Sequence, residues 1–162
     1  DVRQALTDLG LTTHHIRLPG TLEGGDVLKV GSTIYVGSSS RTNAEGIRQF
    51  RLIARDLGYT VVAVPVSRAL HLKSSVTALP DGTIIGHPSL VDNPSLFDRY
   101  LEVPEAGGVA VVVLSQSSVL LAASAPKTKA LVESLGYRVT TVDISEFEKL
   151  EGCVTCLSVR IR

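Results

Sequence analysis

The sequence predicts an α/β fold built from three repeats of a strand, a hairpin and a helix. Three observations carry that prediction. One phrase recurs at three helix ends, as Asp8-Leu-Gly-Leu-Thr-Thr, Asp56-Leu-Gly-Tyr-Thr-Val and Ser134-Leu-Gly-Tyr-Arg-Val. Strand-like apolar runs alternate with turn residues and with amphipathic stretches at helical period. The 162 residues are 44% apolar and 20% charged, enough for one sizeable core and ordinary for a single globular domain.

The elements follow in order. Val2, Ala5, Leu6 and Leu9 share one face of an opening helix over residues 1–9, which Gly10 closes. Leu11 to Leu18 reads as a strand, broken by Pro19-Gly20. Two strands, Val27 to Val30 and Thr33 to Gly37, flank the Gly31-Ser32 turn. Ser38 to Asn43 is polar and ends in a helix N-cap signal. Ala44 to Leu57 then places Ile47, Phe50, Ile53, Ala54 and Leu57 on one helical stripe. Thr60 to Val66 is a continuous apolar strand, suited to a sheet interior.

After Leu70 to Ser75 comes a hairpin, Ser75 to Leu79 and Thr83 to Gly86, closed by Pro80-Asp81-Gly82. His87 to Tyr100 is interrupted by proline and carries only short helical turns, and Glu102 to Gly108 is a loop. Val109 to Leu114 and Val119 to Ala123 form a third hairpin about Ser115-Gln116-Ser117. Pro126 opens a helix that runs to Leu135 and is capped by Gly136. Tyr137 to Val142 is a strand, Ile144 to Leu150 a short helix, and a terminal strand carries Cys156. The repeat units are 11–57, 58–108 and 109–162, within one domain over 1–162. With no methionine and a helical opening, the chain is expected to be the carboxy-terminal part of a longer protein, incomplete at its amino terminus.

Charge excludes some partners. Sixteen basic and sixteen acidic side chains cancel, with a pI near 7.1, so neither nucleic acid nor a membrane surface is an expected partner. The longest apolar run, Val109 to Leu114, is too short to span a bilayer, and no signal peptide is visible. The single Cys153-x-x-Cys156 pair is a weak zinc signal, and no metal or cofactor is expected. On a strand, residues three apart point to opposite faces, so the two thiols are read as separate and the setting as a reducing cytoplasm.

The repeat phase picks out chemistry. Glu23 lies thirteen residues after Gly10, His71 thirteen after Gly58, and Cys156 twenty after Gly136, the excess being the short helix. Units arranged about a pseudo-axis bring such positions together at the centre. A thiol, an imidazole and a carboxylate are the parts of nucleophilic catalysis: attacker, proton carrier and orienter. Each has a competing reading. Cys156 can be a buried strand cysteine, His14, His15 and His87 compete with His71, and Asp26 competes with Glu23 or simply bonds backbone amides. Arg41, before a helix, is either solvated or a clamp for a carboxylate or phosphate.

Leu22-Glu-Gly-Gly-Asp-Val, Ser40-Arg-Thr-Asn, Leu70-His-Leu-Lys-Ser and Thr155-Cys-Leu-Ser-Val-Arg, in that order, resemble the dimethylarginine dimethylaminohydrolases. These belong to the guanidino-group-modifying, or amidinotransferase, superfamily. The resemblance implies a five-bladed α/β propeller of ββαβ units, of pentein type, with about three blades in this chain. It implies that Cys156 attacks the guanidinium carbon of Nω,Nω-dimethyl-L-arginine or Nω-methyl-L-arginine to form a thiouronium intermediate. His71 would protonate the departing amine and then activate water, giving L-citrulline, with Glu23 accompanying the histidine. Arg41 would bind the substrate α-carboxylate and the Leu150 carbonyl its α-amino group. Arginine deiminases and amidinotransferases place an aspartate two residues after the histidine, where this chain has Lys73.

The resemblance also implies partners: a methylated arginine, and the amino-terminal part of the same protein, which would hold the guanidinium-binding carboxylates. A homodimer is left open. Without that part the chain alone is expected to be inactive. The alternatives are another guanidino hydrolase, such as an arginine deiminase, and a non-catalytic propeller that only binds.

Overall fold

A computed structural model describes residues 2–158 and shows three small sheets of three strands each. The first contains β1 (Val27–Val30), β2 (Thr33–Ser38) and β3 (Thr60–Pro65), with helix α2 (Ala44–Asp56) between the last two. Helix α1 (Val2–Asp8) precedes it, and the single turn α3 (Leu72–Ser75) leads into the second sheet. That sheet contains β4 (Val76–Ala78), β5 (Ile84–Gly86) and β6 (Tyr100–Glu102). The third contains β7 (Val111–Ser115), β8 (Ser118–Ala122) and β9 (Arg138–Val142), with α4 (Pro126–Ser134) before β9 and α5 (Ser145–Glu148) after it.

All three sheets share one topology. The first two strands form an antiparallel hairpin, and the third returns parallel to the second. This is the ββαβ unit. In the second sheet the crossover is the proline-interrupted segment, which forms only a short 3-10 turn at Pro94–Leu96. Proline at that turn removes donors a longer helix would need. The recurring Leu-Gly phrase ends α1, α2 and α4 with glycines at φ of 72°, 82° and 92°, the left-handed stop of a helix.

The middle strand of each sheet is buried on both faces, so the core lies between sheets. In β2, Ile34 and Val36 pack with Ile47 and Ala54 of α2, while Tyr35 turns the other way. Tyr35 joins Val76, Ile84 and Phe97 in a cluster between the first and second sheets. Ile85 of β5 faces the third sheet, where Val119, Leu121 and Val132 of α4 complete the next layer. Alternate residues of one strand thus serve two neighbouring cores.

The hairpins and α2 form where the sequence places them, but two expected strands do not. Residues 11–17 carry no strand. In each sheet the third strand pairs with a hairpin, and among the described residues 11–17 pair with no strand. The segment around Cys156 is also not a strand. Cys156 N donates to Cys153 O at 2.9 Å, which folds it into a turn, and the remainder of that expected strand, 159–162, lies outside the described residues. Among the described residues no helix is long and apolar enough to cross a membrane.

Helix α2 is anchored by Asn43. Its Oδ1 accepts from Gly46 N at 2.8 Å as an N-cap, and from Thr21 N at 3.1 Å. Its Nδ2 donates to Pro19 O at 2.7 Å, so one side chain fixes both the helix start and the loop leading to Glu23. This brings Thr21 O so near α2 that a methyl group on Gly46 would stand 2.0 Å from it. Gly46→Ala is therefore expected to destabilise the fold by about 1–3 kcal/mol, despite a gain of about 1 kcal/mol in helix propensity. A thermal melt that rises instead of falling would contradict this close approach.

Candidate active site

Asp26 is the buried centre of the region between the first and second sheets, with no exposed surface. Its Oδ2 accepts from Ser39 Oγ and from Thr42 Oγ1, each at 2.7 Å, and its Oδ1 from Leu72 N at 2.9 Å. A buried carboxylate is tolerable only when so fully bonded. Gly37 of β2 lies against it, where a methyl group would stand 2.6 Å from Oδ1.

Those three donors lie in the Arg41 loop and the His71 segment, and Asp26 itself follows Glu23 by three residues, so one carboxylate ties three candidate segments together. Thr42 Oγ1 also accepts from Glu23 N at 3.0 Å, which fixes the Glu23 backbone. Ser39 Oγ accepts from Arg41 N at 3.0 Å, which fixes the Arg41 loop. Leu72 N follows His71 in the chain, so its bond to Asp26 sets the backbone beside the imidazole. Asp26 thus takes the backbone-bonding role open to it, and Glu23 is the carboxylate that meets the histidine.

His71 Nε2 lies 2.5 Å from Glu23 Oε2. A carboxylate only accepts, so Nε2 carries the hydrogen of this bond, and Nδ1 is the nitrogen left to exchange a proton. Among the described residues Nδ1 has no hydrogen-bond partner. The ring rests on Gly25, where a methyl group would stand 2.6 Å from its Cγ. Gly25, the second glycine after Glu23, therefore has a physical reason: the backbone passes directly beneath the imidazole there, whereas a methyl group on Gly24 would meet nothing within 4 Å. Arg41 Nη1 approaches Glu23 Oε1 at 3.7 Å, beyond hydrogen-bond range, and its side chain is 55% exposed. It is held at its base, while its tip is exposed and only loosely ion-paired with Glu23.

Cys156 is exposed, in the turn after α5. Among the described residues it makes no hydrogen bond to Glu23, His71 or Arg41. Both thiols are free, but they lie 3.2 Å apart, which corrects the expectation that they point to opposite faces. The turn, not a strand, brings them to one side. Burial pushes the Cys153 thiol pKa up. Leu150 ends the short helical passage, with its N donating to Phe147 O and its side chain 85% exposed.

A cleft of about 1340 Å³ runs along the first strands of the three hairpins. Lys73, two residues after His71, lines it, as do Thr155 and Ser158 on either side of Cys156. The histidine segment and the cysteine turn thus border one space, though they are 85 residues apart (156 − 71). Of the other histidines, His87 bonds its neighbour Ser89 Oγ through Nδ1 at 2.7 Å. Among the described residues no cluster of His, Cys, Asp and Glu is placed to hold a metal ion. Sequence reasoning missed Ser39 and Thr42 as site-building residues. The signal was there: five hydroxyl- or amide-bearing residues, Ser38, Ser39, Ser40, Thr42 and Asn43, flank Arg41 ahead of a helix.

No family model matches the chain. It is 61% identical over 161 residues to a dimethylarginine dimethylaminohydrolase of Streptomyces coelicolor, an alignment covering 99% of this chain and 62% of that relative. Its fold matches that of dimethylarginine dimethylaminohydrolase from Pseudomonas aeruginosa, a serine-for-cysteine variant in complex with citrulline. There the TM-score is 0.84 at 31% identity, over 98% of this chain and 65% of that one. It also matches a dimethylarginine dimethylaminohydrolase adduct with S-methyl-L-thiocitrulline, with a TM-score of 0.88 at 32% identity, over 99% of this chain and 64% of that one. The chain spans a little under two thirds of the length of these relatives.

Proposed function

We propose that this chain, homologous along its length to the dimethylarginine dimethylaminohydrolases, carries the nucleophile, proton carrier and carboxylate of a hydrolase that converts Nω-methylated L-arginines to L-citrulline. The observation that carries the reading is the pairing of His71 with Glu23 at 2.5 Å across 48 residues. Neither side chain lines the large cleft, but Lys73, two residues after His71, and Thr155 and Ser158, beside Cys156, do.

In this reading the Cys156 thiolate attacks the guanidinium carbon, and the cation of the substrate favours the thiolate form. The C–N bond to dimethylamine breaks as His71 Nδ1 gives the nitrogen a proton, leaving an S-alkylthiouronium on Cys156. His71, now neutral, takes a proton from water, whose oxygen attacks the same carbon and releases citrulline and the thiolate. Glu23 holds the ring through Nε2 in both half-reactions and stabilises its protonated form. Arg41, exposed at its tip, suits a substrate carboxylate, and the Leu150 carbonyl its α-amino group.

Lys73 supports a methylated substrate over free arginine, because it stands where an aspartate would accept guanidinium N–H bonds, and a methylated nitrogen has fewer of those to offer. Turnover is further inferred to need the length that the relatives carry beyond the matched span, which would close the open cleft and add carboxylates for the guanidinium. The setting is inferred to be the cytoplasm.

The test is a substrate panel on the full-length gene product. Citrulline release from Nω,Nω-dimethyl-L-arginine and Nω-methyl-L-arginine is expected, with little from arginine, and His71→Ala should lower it by about 10²- to 10⁴-fold. Ammonia released from arginine at a comparable rate would favour a deiminase instead. Tight binding of methylated arginine with no product from any substrate would favour a binder.

A further inference from the structure

The turn that bears Cys156 places a second thiol beside it, and nothing in the proposed reaction uses that thiol. Cys156 N donates to Cys153 O at 2.9 Å, the closure of a four-residue turn, and the two Sγ atoms stand 3.2 Å apart. Such a turn holds its end Cα atoms within about 7 Å, and a disulfide spans Cα separations of about 4.4–6.8 Å with sulfurs about 2.0 Å apart. The backbone is therefore already close to disulfide geometry, and side-chain rotation of the order of 1 Å closes the gap.

The pair is asymmetric. Cys156 is exposed, whereas Cys153 is half-buried against the cluster of Ala110, Val112, Ala122 and Ile144. Cys153 Sγ also lies 3.1 Å from Thr155 Oγ1. An oxidant from solvent meets Cys156 first, and the inner thiol is placed to attack it from within.

We propose that Cys153 is a resolving cysteine, which captures oxidised Cys156 as a Cys153–Cys156 disulfide and so protects the site reversibly. The oxidant is a peroxide. The Cys156 thiolate attacks one peroxide oxygen, the O–O bond breaks, and sulfur is oxidised to sulfenic acid as hydroxide leaves. The Cys153 thiolate then attacks the Cys156 sulfur, displacing a second hydroxide, which leaves as water with a proton from the medium. In sum, two thiols and one hydrogen peroxide give one disulfide and two waters. Burial raises the Cys153 thiol pKa, so Cys153 itself is slow to react with peroxide, in keeping with this order. The loss of activity this implies rests on Cys156 being the nucleophile, while the bond itself does not.

The experiment treats the full-length protein with one equivalent of hydrogen peroxide, then excess N-ethylmaleimide, and reads the mass of the peptide that holds both cysteines. The expected peptide has lost two hydrogens and taken up no maleimide, and activity lost with the thiols returns on adding dithiothreitol. In Cys153→Ser no thiol captures the Cys156 sulfenic acid, so a second equivalent of peroxide carries it on to sulfinic acid and dithiothreitol does not restore activity, whereas the wild type given the same two equivalents recovers. Two maleimides on the wild-type peptide, or oxygens added there without a bond, would overturn the proposal. So would recovery of Cys153→Ser as complete as that of the wild type. A disulfide that forms and leaves turnover unchanged would instead contradict the assignment of Cys156 as nucleophile.

Discussion

Cys156→Ser in the full-length protein is expected to lower citrulline release from Nω,Nω-dimethyl-L-arginine by about 10⁴-fold or more, while Cys153→Ser keeps its turnover. The reason is chemical rather than structural. A serine hydroxyl has nearly the same shape, but it ionises far less readily than a thiol, and among the described residues no base lies within hydrogen-bond range of position 156 to take its proton. The position is exposed, so stability should change by less than about 0.5 kcal/mol. Citrulline assays beside thermal melts of the two variants check this. Equal losses from both would mean that the turn matters and not the individual thiol.

Asp26→Ala is expected to damage both stability and catalysis, though Asp26 touches no substrate in this account. It leaves Leu72 N, Ser39 Oγ and Thr42 Oγ1 without their acceptor in a buried place. With about 1–3 kcal/mol for each buried polar group left unpaired, and hydroxyls able to turn elsewhere, the loss should be about 2–5 kcal/mol. Asp26→Asn should cost less stability yet still disturb the site, since an amide offers one accepting oxygen where two now accept. Misplacing His71 and Glu23 by about an ångström lowers kcat by about 10²-fold. A positioning role predicts that kcat falls further than KM rises, measured well below the melting temperature. A variant that melts earlier but turns over normally when folded would reduce Asp26 to a structural residue.

Much of this fold was legible because it follows from local signals. Asn43 ahead of a helical stripe, Gly31-Ser32 between two apolar strands and the recurring Leu-Gly stops each name an element without tertiary information. The alternation of Ile34, Tyr35 and Val36 was legible as a strand, but not which sheet each face would meet. Leu11 to Leu18 misled because strand character is a property of a ladder, and among the described residues this run pairs with no strand. The Cys156 segment misled because its β-branched residues read as extended, while its backbone closes on Cys153 O.

The candidate site was legible in its residues more than in its construction. The repeat spacing put Glu23 and His71 in equivalent places 48 residues apart, and they meet at 2.5 Å. Spacing alone could not reveal that Asp26, read as a rival to Glu23, binds the loops of both. That bond to Leu72 N crosses 46 residues and leaves no local pattern. Nor could it reveal the neighbouring thiols, since residues three apart diverge on a strand and converge in a turn.

The most direct test of the central claim is the mass of the peptide holding Cys153 and Cys156 from full-length His71→Gly, after incubation with S-methyl-L-thiocitrulline and acid quenching. Methanethiolate departs without a proton, whereas hydrolysis of the resulting intermediate needs a base, so this variant should stall with the amino acid bound covalently. The account predicts one adduct, on Cys156, that survives in His71→Gly and is absent from Cys156→Ser. An unmodified peptide, or an adduct carried by Cys153, would contradict it.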